Sequence, residues 1–156
     1  MLILQAVRCP VQAASSLEIS PACRRRVITE TTLAIDWSEL DLFGHVNNVM
    51  FFKYLQAARL KFCEQLGLTS LNEPGRLSFV VASSSCSFRS PLYYPGEVIV
   101  RTSAAWARNT SFCLRHEIRD SKDKIAGEGE DVLVLFDYSG HKKVVLDPSL
   151  KARMGF

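Results

Sequence analysis

The sequence predicts an α+β domain in which one antiparallel sheet curls around a single long helix. Three observations carry that expectation. Apolar side chains recur at helical spacing between Asn48 and Leu66, and the stretches around that segment are rich in β-branched residues broken by turn signals. A lone apolar helix and a single sheet have one economical way to bury both, which is for the sheet to wrap the helix. A chain of 156 residues suits one such domain and is short for two.

Regular structure is expected to begin at Val27, where a run through Ile35 is dominated by β-branched side chains. Residues 1–26 read as an irregular N-terminal extension and residues 27–156 as the folded domain. Phe51, Leu55, Ala58 and Phe62 then repeat every three or four residues, with Lys53, Gln56, Lys61 and Glu64 on the opposing arc. Tyr54 flanks the apolar face and reads as core. Gly67 stands where a helix can end in a left-handed residue, which gives a helix of about five turns, and Asn72 to Gly75 mark a loop.

Strands are expected over Phe79 to Val81, Ser83 to Phe88, Val98 to Thr102, Ser111 to Ile118 and Val132 to Phe136, with turns at Pro91 to Gly96 and Arg119 to Lys124. Strands joined by turns this short imply an antiparallel meander. A final strand, Lys142 to Leu146, is expected to stop at Pro148, which cannot donate to a ladder. The serines at 83, 84, 85 and 87 read as small packing or edge residues, and none sits in a nucleophile elbow.

Composition excludes several functions. A hydrophobic fraction of 47% with 22% charged residues is that of a globular domain, and a formal charge of +3 is only mildly basic. Arg24 to Arg26 form the one basic run, so no nucleic-acid partner is expected, although a mild positive excess suits an anionic carrier. Five scattered cysteines without C-x-x-C spacing argue against a disulfide framework and a zinc site. Cys63, Cys86 and Cys113 lie in apolar patterns and read as small buried hydrophobes. The apolar start, Met1 to Val7, is short and interrupted by Arg8, which makes a poor secretory signal, and no apolar run is long enough to span a membrane. A reducing, cytoplasmic setting is the expectation.

Asp41-Leu42-Phe43-Gly44-His45-Val46-Asn47-Asn48 is the segment that carries chemistry. It puts a carboxylate and a glycine turn directly before the long helix, where backbone N–H groups lack intrahelical partners and can stabilise an anion. Asn47 and Asn48 can cap the helix, and His45 can titrate near neutrality. Asp36 and Glu39 are rival carboxylates, expected to face solvent at a strand end. His116 and His141 have no acidic or cysteine partner at motif spacing. Arg89, Arg101 and Arg108 are available to a carrier's phosphates, as exposed strand arginines often are.

This pattern, followed by Met50-Phe51-Phe52-Lys53-Tyr54, resembles the signature of the 4-hydroxybenzoyl-CoA thioesterase family of hot-dog proteins and its acyl-ACP-thioesterase-like relatives. Phe88, Pro91 and Gly96, and then Arg108 to Phe112, are similar to weaker family segments. The resemblance implies hydrolysis of an acyl thioester of coenzyme A or acyl carrier protein, in fatty-acid or polyketide metabolism, without metal or other cofactor. It implies Asp41 as general base or nucleophile and the backbone N–H of Asn48 as oxyanion donor, with Gly44, His45 and Asn47 in support. It also implies a homodimer or homotetramer joined at sheet edges. The patterns of hot-dog hydratases are missing, and a non-catalytic module that binds acyl thioesters is the alternative from another class.

Overall fold

The computed structural model describes residues 28–68 and 77–156. The expected N-terminal extension and the expected loop at Asn72 to Gly75 lie outside the described residues. The order of elements is β1 (Ile28–Ala34), a 3-10 turn (Trp37–Glu39), α1 (Asn48–Gln65), β2 (Leu77–Phe88), β3 (Glu97–Ala107), β4 (Ser111–Asp120), β5 (Ile125–Asp137), β6 (Lys142–Lys143) and α2 (Pro148–Arg153). The sheet runs β1-β3-β4-β5-β2, every pairing is antiparallel, and β6 adds to β5. This is the hot-dog fold, with α1 as the filling.

The helical period of α1 sets the core. Phe51, Tyr54, Leu55, Ala58, Phe62 and Cys63 are all buried, while Lys53, Gln56, Lys61 and Glu64 are exposed. The first half of α1 packs with Val98, Val100, Ile118 and Ala126. The second half joins Phe112, Leu114, Leu133 and Leu135. Asn47 caps the start through its side chain, which accepts the Val49 N–H at 3.0 Å, and the chain leaves the helix through Gly67 at φ +69°.

Several elements differ from the sequence expectation: β3 runs on to Ala107, and the final strand ends at Lys143 instead of Leu146. The segments expected at Phe79 to Val81 and Ser83 to Phe88 are one strand, β2, with a bulge between Val81 and Ser83. The apolar run at Val132 extends backward into a strand that begins at Ile125, across Gly127 and Gly129. Pro148 does not end a strand. It occupies the first turn of α2, capped by Asp147, whose carboxylate accepts the Leu150 N–H at 2.9 Å, and Leu150 and Met154 enter the core.

The glycines of β5 let the helix approach the sheet. A Cβ at Gly129 would stand 2.7 Å from Cδ1 of Leu55 and 3.0 Å from the backbone oxygen of Ser85. Leu55 is fully buried, so neither contact can yield cheaply. Gly129→Ala is expected to destabilise the fold by about 1–3 kcal/mol through overpacking, read as a lower urea midpoint at unchanged slope.

β2 is an edge strand, and its residues Val81 to Ser85 are exposed. Among the described residues no helix is long and apolar enough to cross a membrane.

Candidate functional site

The segment between β1 and α1 folds into a small hairpin that presents Asp41. Leu40 and Val46 pair across its stem as an antiparallel bridge. Asp41 N–H donates to His45 O at 2.9 Å, and Gly44 N–H donates to Asp41 O at 3.1 Å. Gly44 sits at φ +80°, a left-handed conformation that a side chain would make costly. The stem is tied on both sides: Asn47 N–H donates to Glu39 O and Val46 N–H to Leu92 O, each at 2.9 Å.

The Asp41 carboxylate is partly covered and oriented. One oxygen accepts the Phe43 N–H at 2.8 Å, an Asx turn, and the other lies 3.3 Å from Nδ1 of His45. The His45 ring stands between Phe43, stacked at 6.1 Å, and Tyr93, edge-on at 6.4 Å. Asp41, His45 and Asn48 share a cleft of about 430 Å³ with Phe51, Phe88 and Arg89. Asn48 is the first residue of α1, so its N–H is among those the helix cannot satisfy, and the residue lines the same cleft as Asp41.

Glu39 corrects one expectation. It does not face solvent but is buried, because its carboxylate accepts from Tyr54 Oη, from Lys53 Nζ at 2.5 Å and from the Asp36 N–H at 3.3 Å. Burial pushes the Glu39 pKa up, but the Lys53 and Tyr54 hydrogen bonds outweigh it and hold the carboxyl below its ordinary value. Burial, and then the hydrogen bond to Glu39, pushes the Tyr54 phenol upward. Asp36 is exposed, as expected, and caps the 3-10 turn. Glu39 is therefore a rivet between the Asp41 hairpin and α1. The capping box Asp36-x-x-Glu39 was the sequence signal that could have found it. Tyr54→Phe, which leaves a buried carboxylate oxygen with only the longer Asp36 N–H bond at 3.3 Å, is expected to cost about 1–3 kcal/mol in chemical denaturation.

A second buried polar group was missed by sequence reasoning. Asp131 on β5 accepts from Arg59 of α1 at 2.7 Å, and His116 Nε2 on β4 lies 3.2 Å from the same oxygen. His116 Nδ1 is 2.8 Å from Thr102 Oγ1 on β3. The partner that His116 lacks at motif spacing is supplied across the sheet. Burial pushes the Asp131 pKa up, yet the neighbouring His116 and Ser84 side chains and the Arg59 charge bring it down to about 2.

The remaining candidates divide. Arg89 pairs with Glu128 at the cleft rim, Arg101 with Glu30 and Asp123, and Arg108 lies 4.5 Å over the Trp106 ring. Burial lifts the thiols of Cys63 to about 12 and of Cys86 and Cys113 to about 11, away from nucleophilic use. Cys63 and Cys113 are buried, and Cys86 is partly so. Among the described residues no three His, Cys, Asp or Glu side chains gather as a metal-binding group.

The sequence profile of the thioesterase-like superfamily matches residues 35–154, from the end of β1 through α2. The chain belongs to that superfamily. The hairpin, the cleft and the whole wrapped helix fall inside the matched region of this thioesterase-like chain. It is similar in structure to the PA2801 protein of Pseudomonas aeruginosa, at TM-score 0.71 and 28% identity, covering 79% of this chain and 95% of that one. A DHNA-CoA thioesterase from Staphylococcus aureus shares the fold at TM-score 0.70 and 20% identity, over 81% of this chain and 87% of that one. Among curated proteins, the uncharacterized protein YsmA of Bacillus subtilis is 34% identical over 74 residues, a match spanning 46% of this chain and 49% of that relative. The chain thus matches about half the length of that curated relative.

Proposed function

We propose that the protein hydrolyses acyl thioesters of coenzyme A or acyl carrier protein, with Asp41 as general base. The observation that carries this reading is the shared cleft, lined both by an oriented carboxylate and by the first residue of α1, whose N–H has no intrahelical partner. A water between Asp41 and a bound thioester carbonyl would lose its proton to the carboxylate as its oxygen bonds to the carbonyl carbon. The resulting oxyanion would meet the Asn48 N–H and the positive end of the α1 dipole. Collapse breaks the C–S bond, and the thiolate takes up the proton held by Asp41.

The supporting residues act through position. Gly44 closes the turn, Asn47 fixes the helix start, and His45 holds the carboxylate's second oxygen from within its Phe43 and Tyr93 rings. The protein would work as a homodimer, because the exposed edge of β2 offers unpaired backbone groups to a second copy, and Phe88 stands at the end of that edge.

Thiol release from a panel of acyl-CoA and acyl-ACP esters, with a folded Asp41→Asn protein alongside, tests the assignment. Turnover that depends on Asp41 supports it. Tight thioester binding with turnover no faster than buffer would replace it with a binding module.

A further inference from the structure

The base and the oxyanion donor assigned above stand on different elements, since Asp41 sits in the hairpin and Asn48 opens α1. Glu39, two residues before Asp41 and 4% exposed, ties the two together. Its backbone oxygen accepts the N–H of Asn47, the residue that caps α1, at 2.9 Å. Its carboxylate reaches the second turn of the helix, where one oxygen accepts from Lys53 Nζ at 2.5 Å and the other from Tyr54 Oη. That second oxygen also accepts the Asp36 N–H at 3.3 Å, which fixes the turn leading into the hairpin.

The two helix bonds differ in kind. Tyr54 is buried and its ring packs against Phe51, a wall of the cleft, with centroids 6.3 Å apart. Lys53 keeps 64% of its side chain in solvent and can turn to water without disturbing the core. The Tyr54 bond therefore sets the geometry, and Lys53 supplies the charge that a buried carboxylate needs. Neither Glu39 nor Tyr54 lines the cleft, so any effect they have on turnover passes through Asp41 and Asn48.

We propose that Glu39 and Tyr54 are positioning residues, which hold the Asp41 carboxylate and the Asn48 N–H at the spacing that thioester hydrolysis requires. This rests on the thioesterase reading above. The attacking water must meet its base while the carbonyl oxygen meets its donor, and a misplacement of about 1 Å can cost on the order of 10²-fold. Apolar contact alone would bring hairpin and helix together, but it has no direction and lets them slide. A buried hydrogen bond has direction, and it joins the two elements that carry the reacting groups.

The test measures kcat and KM of the full chain on acetyl-CoA, lauroyl-CoA and benzoyl-CoA for wild type, Tyr54→Phe, Glu39→Gln, Glu39→Asp and Asp41→Asn. Leu150→Ala, which truncates a buried side chain of α2 in the other half of the core, controls for lost stability. Tyr54→Phe is expected to lower kcat by about ten- to a hundredfold with KM within about twofold of wild type. Glu39→Asp, which keeps the charge but draws it back from Tyr54, should fall in the same direction and supplies the readout if the phenylalanine protein does not fold. Glu39→Gln keeps an acceptor for Tyr54 and should stay within about threefold of wild type, as should Leu150→Ala below its melting range. Added to Asp41→Asn, Tyr54→Phe should slow turnover by no more than about twofold, because no base is left to position. Wild-type kcat in both Tyr54→Phe and Glu39→Asp, an equal fall in Leu150→Ala, Glu39→Gln slower than Glu39→Asp, or full additivity with Asp41→Asn would overturn the positioning role and leave the hydrolase reading standing. No Asp41-dependent turnover of the three thioesters, or of their acyl-carrier-protein counterparts, would remove the hydrolase reading and this role with it.

Discussion

Asp41→Asn is expected to lower kcat/KM for thioester hydrolysis by about 10²–10⁴, the usual contribution of a positioned acid or base. Asparagine is nearly the same shape, and its side-chain oxygen can still accept the Phe43 N–H that orients Asp41 at 2.8 Å. The hairpin is held by the backbone bonds of Asp41 to His45, Val46 to Leu92 and Asn47 to Glu39, none of which uses the carboxylate. Stability should therefore change little while the proton acceptor is lost. The deficit should appear in kcat more than in KM, because a base is engaged as the water attacks and not when the thioester binds. Steady-state kinetics beside a thermal melt separate the two effects. A variant with wild-type melting and wild-type turnover would remove Asp41 from the chemistry.

The parts of this molecule that were legible in the sequence are those in which local pattern and tertiary role coincide. Phe51, Leu55, Ala58 and Phe62 repeat at the period of the helix they form, and the same face is the one buried. Asp41, Gly44 and Asn47 are legible for a related reason: a turn glycine and a cap are local devices, and the carboxylate lies on the segment they shape. Strand β5 was only half legible. Gly127, Glu128, Gly129 and Glu130 have poor strand propensity, and the glycines are there because Phe51 and Leu55 occupy the space their side chains would fill. α2 was misread although Asp147 and Pro148 spell a helix start, because a proline that opens a helix looks the same as one that ends a strand.

Buried polar chemistry was the least legible. Glu39 reads as a solvated carboxylate until Lys53 and Tyr54, more than a dozen residues later, arrive from α1 to satisfy it. His116 and Asp131 share no motif spacing, since an antiparallel pairing brings them together from neighbouring strands while Arg59 comes from the helix. In each case the signal is a long-range contact, and no local period encodes it.

That second cluster gives the largest stability effect we expect. Arg59→Ala should destabilise the protein by about 3–5 kcal/mol, because it leaves the fully buried Asp131 carboxylate without its cation. The ion pair itself need not be favourable relative to an apolar substitute, so the double replacement Arg59→Met with Asp131→Leu should recover part of the loss that either single change causes. Acid behaviour follows from the depressed carboxyl. Asp131 has a folded pKa of about 2 against an ordinary value of 3.8, so the stabilisation tied to its ionisation is fully present above the unfolded value and is lost as pH falls through the folded one. The wild type should weaken between roughly pH 4 and pH 2 on this account, and the pH dependence in that window should be shallower in Arg59→Ala, where one of the groups lowering the pKa is gone. Urea unfolding at neutral pH and thermal melts across the acid range measure both. A cost for Arg59→Ala within about 0.5 kcal/mol, the range of an ordinary surface substitution, would mean that water reaches Asp131 and that α1 does not clamp the sheet there.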